Sequence, residues 1–326
     1  MDDLLVDLSV VVGSRGRPLR LRWLLNALLD QTLEQSRWEV LVGHDLADGE
    51  THEVLASHPL GEAGSLRWRE LGPDAASDCA NRNAALAMAR GRLVVLTRDV
   101  CRPPVNWLKN VLEAAQRHPG AVIQGPVVPD PEEYAILRSS HPRTQSFVTV
   151  PRVWGEASNI VYPRDLLLRL GGFDAELRSA SEADLISRAR VAGADYVGEL
   201  AMTTCHCVQE GSVTDCWRAA WKSSDLAGLL KRHPGLRGQY TLGAFASVTH
   251  AWLPLALIGI ASMPKNRRLG ALVLPWALGA VRAGRHGTVF HRYRRRLLQL
   301  PALATIEVVE MTALARGSVR RRTLLL

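Results

Sequence analysis

The chain has 326 residues, 47% of them apolar and 22% charged, which is enough for one large or two small globular domains and excludes a disordered chain. Its formal charge of +8 is unevenly placed: 27 Lys and Arg stand against 30 Asp and Glu before Thr241, and 13 against 2 follow it. A nearly neutral body with a basic, apolar C-terminal region is no general nucleic-acid binder, and points instead to an anionic surface.

In chain order, 7–13 (DLSVVVG) predicts a buried strand, SRGRP a turn, and Leu21, Leu24, Leu25 and Leu28 the apolar stripe of a helix. WEVLVG at 38–43 predicts a second strand that ends in the polar loop HDLADGET, and a weaker strand lies near 66–71. A helix is expected over 78–90, closed by Gly91, then a strand at 93–96, a helix at 106–117 and a strand at 121–128. Strands alternating with helices imply a parallel sheet covered on both faces. Ligands in such sheets sit beyond the carboxyl ends of the strands, where SRGRP, HDLADGE and TRDVCRPP all fall. Residues 129–155 read as a long polar loop, the usual form of a lid or acceptor loop. Helices are expected around 164–170 and from Ser181, with Ser181 as N-cap and Glu182 and Asp184 in the first turn.

Five cysteines and an acidic N-terminus with no hydrophobic leader predict a reduced, cytoplasmic setting. Cys205-His206-Cys207 has no CxxC partner and reads as buried thiols rather than a zinc site. Beyond residue 240, 245–263 is a 19-residue run without charge and 269–281 a shorter one broken by Pro275. The first barely reaches the roughly 20 residues that a spanning helix needs. Spanning by both would put the PKNRR loop outside, against the positive-inside tendency. The expectation is therefore a domain over 1–240 followed by a helical region over 241–326 that docks on, or re-enters, the cytoplasmic face of a membrane through its FHRYRRRLLQL patch. Two ordinary core helices are the alternative.

Six segments, SVVVGSRGRPLRLRWLLNALLDQT, EVLVGHDLADGET, CANRNAALAMARGRLVVLTRD, CRPPVNWL, GGFDAEL and SEADL, stand in the order found in the family 2 glycosyltransferases. The chain resembles that family over about residues 7–215. The resemblance implies the GT-A fold, a Rossmann-like α/β architecture with a mostly parallel sheet. It also implies transfer of a sugar from a nucleotide-diphosphate donor, with inversion, to a glycan or lipid-linked hydroxyl of the cell envelope. By position, Ser14, Arg17, Asp45 or Asp48, Arg82 and Arg98 would serve the donor. Asp99 would hold a divalent cation (Mg2+ or Mn2+), with His206 as a further ligand. Glu182 would be the catalytic base, with Asp174 and Asp184 on the acceptor side. A base must reach the attacking hydroxyl, and charge on the leaving diphosphate must be neutralised. The metal motif departs from the family, because Thr97 stands where a second Asp is usual. Three outcomes follow: metal held by Asp99 and His206, charge supplied by Arg98, or a sugar-nucleotide binder that does not turn over. A nucleotidyltransferase would want a longer phosphate loop with a Lys, which SRGRP lacks.

Overall fold

The computed structural model describes residues 6–45, 49–72, 77–135, 150–151, 154–155, 157–177, 179–208, 212–283 and 293–326. It divides into two compact units. One comprises 1–133 and 147–207, the other 134–146 and 208–326. The division at the C-terminal end thus falls after Cys207, earlier than the sequence boundary at 240: residues 208–240 belong with the C-terminal helices.

The first unit is built on strands β1 (Leu8–Gly13), β2 (Trp38–Asp45), β3 (Leu66–Leu71), β4 (Leu93–Arg98), β5 (Cys101–Arg102), β6 (Val122–Gln124), β7 (Val127–Pro129), β8 (Ile160–Pro163), β9 (Tyr196–Gly198) and β10 (Thr204–His206). Seven form one sheet in the order β3-β2-β1-β4-β8-β6-β9, and β5-β10-β7 form a small second sheet. β1 pairs in parallel with both β2 and β4. β8 runs antiparallel to β4 and β6, so the sheet is mixed, mostly parallel. Nearly every residue of β1, β2 and β4 is buried, as expected of strands covered on both faces. Val10, Val12, Val40 and Val42 face a layer that includes Leu21, Leu24, Leu25, Trp107 and Leu108. Val11, Leu41, Val94 and Leu96 face the opposite layer with Leu86, Leu167, Leu185 and Ile186. The period-two alternation of strand side chains sorts them into these two cores.

Three expectations change. The strand expected over 121–128 is two, β6 and β7, in different sheets, because the chain turns at Gly125-Pro126. The helix from Asp78 ends at Leu86, before the expected 90. Ser181 is the first residue of its helix and caps nothing. The preceding Ala180 takes the cap position at φ 60, in the left-handed region.

The second unit is helical: Val213–Trp221, Leu226–Arg232, Val248–Ser262, Leu274–Ala283 and Tyr293–Arg321. Its core gathers Leu253, Ala256, Trp276 and Ala280. Trp276 donates its indole N–H to Glu307 at 2.6 Å, and buried His250 lies 3.5 Å from Glu310. The charge-free run 245–263 thus becomes a 15-residue helix with Pro254 inside it. Among the described residues, no helix is long and apolar enough to cross a membrane. The middle of the polar loop, 136–149, lies outside the described residues.

Candidate active site at the strand tips

The parallel pairing of β1 with β4 sets Gly13 opposite Arg98. The residues that follow each strand are therefore neighbours. Ser14 leaves β1, Arg17 precedes the helix Pro18–Leu29, and Asp99 follows β4. The Asp99 carboxylate is fully buried. Its Oδ2 accepts from the Ser14 hydroxyl at 2.9 Å and from Arg17 Nε at 3.0 Å. The second Arg17 nitrogen is 2.9 Å from Oδ1, a two-point ion pair. Oδ1 receives no hydrogen bond of good geometry. Burial pushes the Asp99 carboxyl above its usual range, against the opposing pull of Arg17, Ser14 and Arg98. Asn81 ties the first loop down by donating to the Ser14 carbonyl at 2.9 Å.

Glu182 is the second residue of the helix Ser181–Val191. Its Oε1 is 3.2 Å from Arg82, which is itself buried and sits 5.3 Å over the Phe173 ring. The Ser181 hydroxyl donates to Oε2 at 3.1 Å. Burial pushes the Glu182 carboxyl up, but Arg82, its own backbone amide, Arg98 and Ser181 outweigh it and hold the group below the usual carboxylate range. The charge of Arg98 is felt at Asp99, Glu182 and His206 alike. Two carboxylates remote in sequence are thus tied to one pair of neighbouring residues, Asp99 through Ser14 and Asn81, and Glu182 through Arg82.

His206 enters from the small sheet. β10 runs antiparallel to β5, which begins two residues after Asp99, and pairs His206 with Cys101. The Cys207 amide donates to the Val100 carbonyl at 2.9 Å. His206 Nδ1 is 2.8 Å from the Cys207 carbonyl, so Nδ1 carries the proton and Nε2 keeps a lone pair. Burial, opposed by that carbonyl and reinforced by Arg98 and Arg17, pushes the imidazole down to about 4. It is a neutral ring at ordinary pH.

The remaining sequence candidates are more scattered. Asp45 ends β2, two strands from β4, and Asp48 lies outside the described residues. The Asp174 carboxylate accepts from the Glu176 amide at 2.9 Å, closing a local turn. Asp184 is buried and engages Arg188 at 2.8 Å. Arg188 in turn donates to the carbonyls of Leu170 and Gly172. Asp184 thus helps fasten the GGF turn to its helix, although the sequence puts it on the acceptor side. Thr97, at the departing position of the metal motif, is buried and donates its hydroxyl to the Ser158 carbonyl at 3.1 Å, bracing β4 against the approach to β8. Sequence reasoning overlooked Asn81 and Phe173 as supports, although both stand in motifs it had singled out, CANRN and GGFDAEL. All five cysteines are free thiols.

As donors, Asp99 Oδ1 and His206 Nε2 suit a divalent ion that takes its other ligands from a diphosphate and water. Arg17 would then have to exchange its carboxylate partner for phosphate.

Strand order and tip loops of this kind define a glycosyltransferase scaffold of the GT-A type. Residues 9–183, just over half of the chain, match the model of glycosyl transferase family 2, and the chain belongs to that family. Solved structures share the fold. The mannosyltransferase PcManGT from Pyrobaculum calidifontis, in complex with GDP-Man and Mn2+, is 16% identical with a TM-score of 0.57, covering 98% of this chain and 87% of its own. S. aureus TarS 1-349, in complex with UDP-GlcNAc, is 16% identical with a TM-score of 0.52, covering 98% and 93%. GalNAc-T7 with UDP, GalNAc and Mn2+ is 12% identical with a TM-score of 0.50, covering 64% and 44%. Among curated proteins none is a significant match.

Proposed function

We propose that the protein transfers a sugar from a nucleotide-diphosphate donor to an acceptor hydroxyl with inversion at the anomeric carbon. The observation that carries this reading is the run of contacts linking two carboxylates remote in sequence: Asp99 accepts from Ser14, the Ser14 carbonyl accepts from Asn81, and the adjacent Arg82 pairs with Glu182. One end of the site is rich in guanidinium groups suited to a diphosphate, and the other offers a carboxylate kept ionised. In a single displacement, the acceptor oxygen bonds to the anomeric carbon as the bond from that carbon to the diphosphate oxygen breaks. Glu182 takes the hydroxyl proton. Arg98, and Arg17 once turned from Asp99, balance the charge that collects on the leaving diphosphate. Asp99 and His206 would hold a divalent cation, which when bound neutralises the same diphosphate. The solved relatives with Mn2+ and nucleotide sugars support this assignment. Ser14 positions Asp99, and Arg82 holds Glu182 in place.

A thermal-shift screen of UDP-, GDP- and TDP-sugars, with and without Mn2+, tests donor class and metal need together. A ligand at 100 times its Kd stabilises the folded state by about 2.7 kcal/mol, so the matching donor should raise Tm by roughly 5–10 °C. The rise should need Mn2+ and should vanish in Asp99→Asn. If no nucleotide sugar moves Tm under either condition, the donor assignment falls.

We also propose that the acceptor is lipid-linked and that the second unit rests on the cytoplasmic face of a membrane. Trp252, Leu257, Ile258 and Ile260 of the helix Val248–Ser262 are exposed, as are Leu274 and Leu278 of the next helix. With 13 basic residues against 2 acidic after residue 240, an anionic bilayer is the matching partner. In a flotation assay the protein should rise with vesicles containing anionic lipid, stay down with purely zwitterionic ones, and lose binding in Trp252→Ser/Ile258→Ser. Equal behaviour on both vesicle types would exclude charge-assisted docking.

A further inference from the structure

One cluster of metal-ligating side chains in the first unit has no part in the transfer described above. His44 ends in β2, Glu70 in β3, and His52 stands in the helix Gly49–Ser57 that follows β2. The parallel register of the two strands places His44 opposite Glu70. One ligand atom from each of the three residues lies within 4.8 Å of the others. His44 is completely buried, and its Nε2 has no hydrogen-bond partner. That nitrogen is 3.6 Å from Glu70 Oε1. The other nitrogen, Nδ1, lies 3.1 Å from the Asp45 carbonyl and so carries the proton. Nε2 is left with a lone pair inside the cluster. His52 Nδ1 contacts the same Glu70 oxygen. The edge of the His52 ring meets Trp68, with centroids 6.2 Å apart and planes at 86°.

A buried imidazole nitrogen without a partner is costly unless something supplies one. The backbone carbonyl that fixes its tautomer is the arrangement usual behind a metal-bound histidine. Tetrahedral zinc, with bonds of about 2.0–2.2 Å to nitrogen and carboxylate oxygen, needs donors roughly 3.3 Å apart. The His44 to Glu70 distance is close to that, and the His52 side chain, 52% exposed, can swing slightly to admit the ion. Two imidazoles among three donors favour zinc over magnesium or calcium, which prefer all-oxygen sets.

From this geometry we infer that His44, His52 and Glu70 form a second metal site, for a Zn2+-class ion, that clamps the helix Gly49–Ser57 to β3. The site is separate from Asp99 and His206 and does not depend on the transferase reading.

Calorimetric titration of Zn2+ into the chelator-treated full chain tests it. Wild type and Asp99→Asn should each show one tight binding event per chain. That event should weaken by more than about 100-fold in His52→Ala, and likewise in Glu70→Gln, since loss of a ligand exceeds the 10–100-fold cost of losing an outer partner. The half-exposed His52 makes its variant the safer for folding, which a thermal melt checks, and Glu70→Gln supplies an independent readout. Absence of tight binding in wild type, its persistence in both cluster variants, or its loss in Asp99→Asn would overturn the site.

Discussion

Glu182→Gln should lower kcat by on the order of 10³-fold while leaving donor affinity within about twofold of wild type, since a positioned general base is worth roughly 10²–10⁴. Gln keeps the length of the side chain and an oxygen to accept from Arg82, so the buried guanidinium stays hydrogen-bonded. What it cannot do is take a proton. The pH profile gives a second reading. Because the Glu182 carboxyl is held below the usual carboxylate range, it is already ionised near neutral pH. As pH falls, kcat/KM should fall only when the medium passes below that usual range, so the acid limb should lie lower than for an unperturbed glutamate. Single-turnover transfer from radiolabelled donor, set beside equilibrium donor binding, checks both. Normal turnover in Glu182→Gln would remove Glu182 from its role, and equal loss of binding and turnover would make it a structural residue.

Gly43→Ala is the second large effect, and it acts through packing. A Cβ on Gly43 would lie 1.9 Å from the Asn81 carbonyl oxygen and 2.7 Å from its carbon. These are backbone atoms of the helix Asp78–Leu86, so no side chain can rotate away. That helix carries Asn81 and Arg82, which hold the Ser14 loop and Glu182. The added methyl must push helix and sheet apart, at a cost of about 3 kcal/mol. Tm should drop by roughly 6–12 °C, and transfer should fall in the protein that remains folded. A melt within 2 °C of wild type would show that the two backbones separate without penalty.

Much of the site was legible in the sequence because it depends on adjacency that the fold class dictates. Apolar runs at β1, β2 and β4, each with a polar tip, implied neighbouring loops, and Ser14, Arg17 and Asp99 do meet there. The pairing of Arg82 with Glu182 was harder to foresee, because a helix and a distant turn must pack before the two groups face each other. Periodicity also fails where chain direction changes. β8, not foreseen as a strand, runs antiparallel to β4, and 121–128 reads as one strand although a Cβ at Gly125 would meet Asn159 Nδ2 and the Met202 carbonyl at 2.4 Å. Ser181 matched a capping pattern, but capping depends on backbone angles, and Ala180 takes the left-handed turn instead. His44, His52 and Glu70 show no metal-binding spacing, since strand register alone unites them. The unit boundary escaped notice because the amphipathic helix Val213–Trp221 looks the same whichever body it covers.

Arg98 has a thermodynamic consequence. With Arg17 and Arg82 it sets three fixed cations among two carboxylates, leaving a small surplus of positive charge rather than a crowd of like charges. Self-repulsion is therefore slight. On the proposed function, an incoming polyanion would meet Arg17 and Arg82 already oriented by acids, so much of its capture would be an exchange of partners. Such exchanges recover only part of the bare Coulomb attraction, which would make for ready product departure instead of a trap.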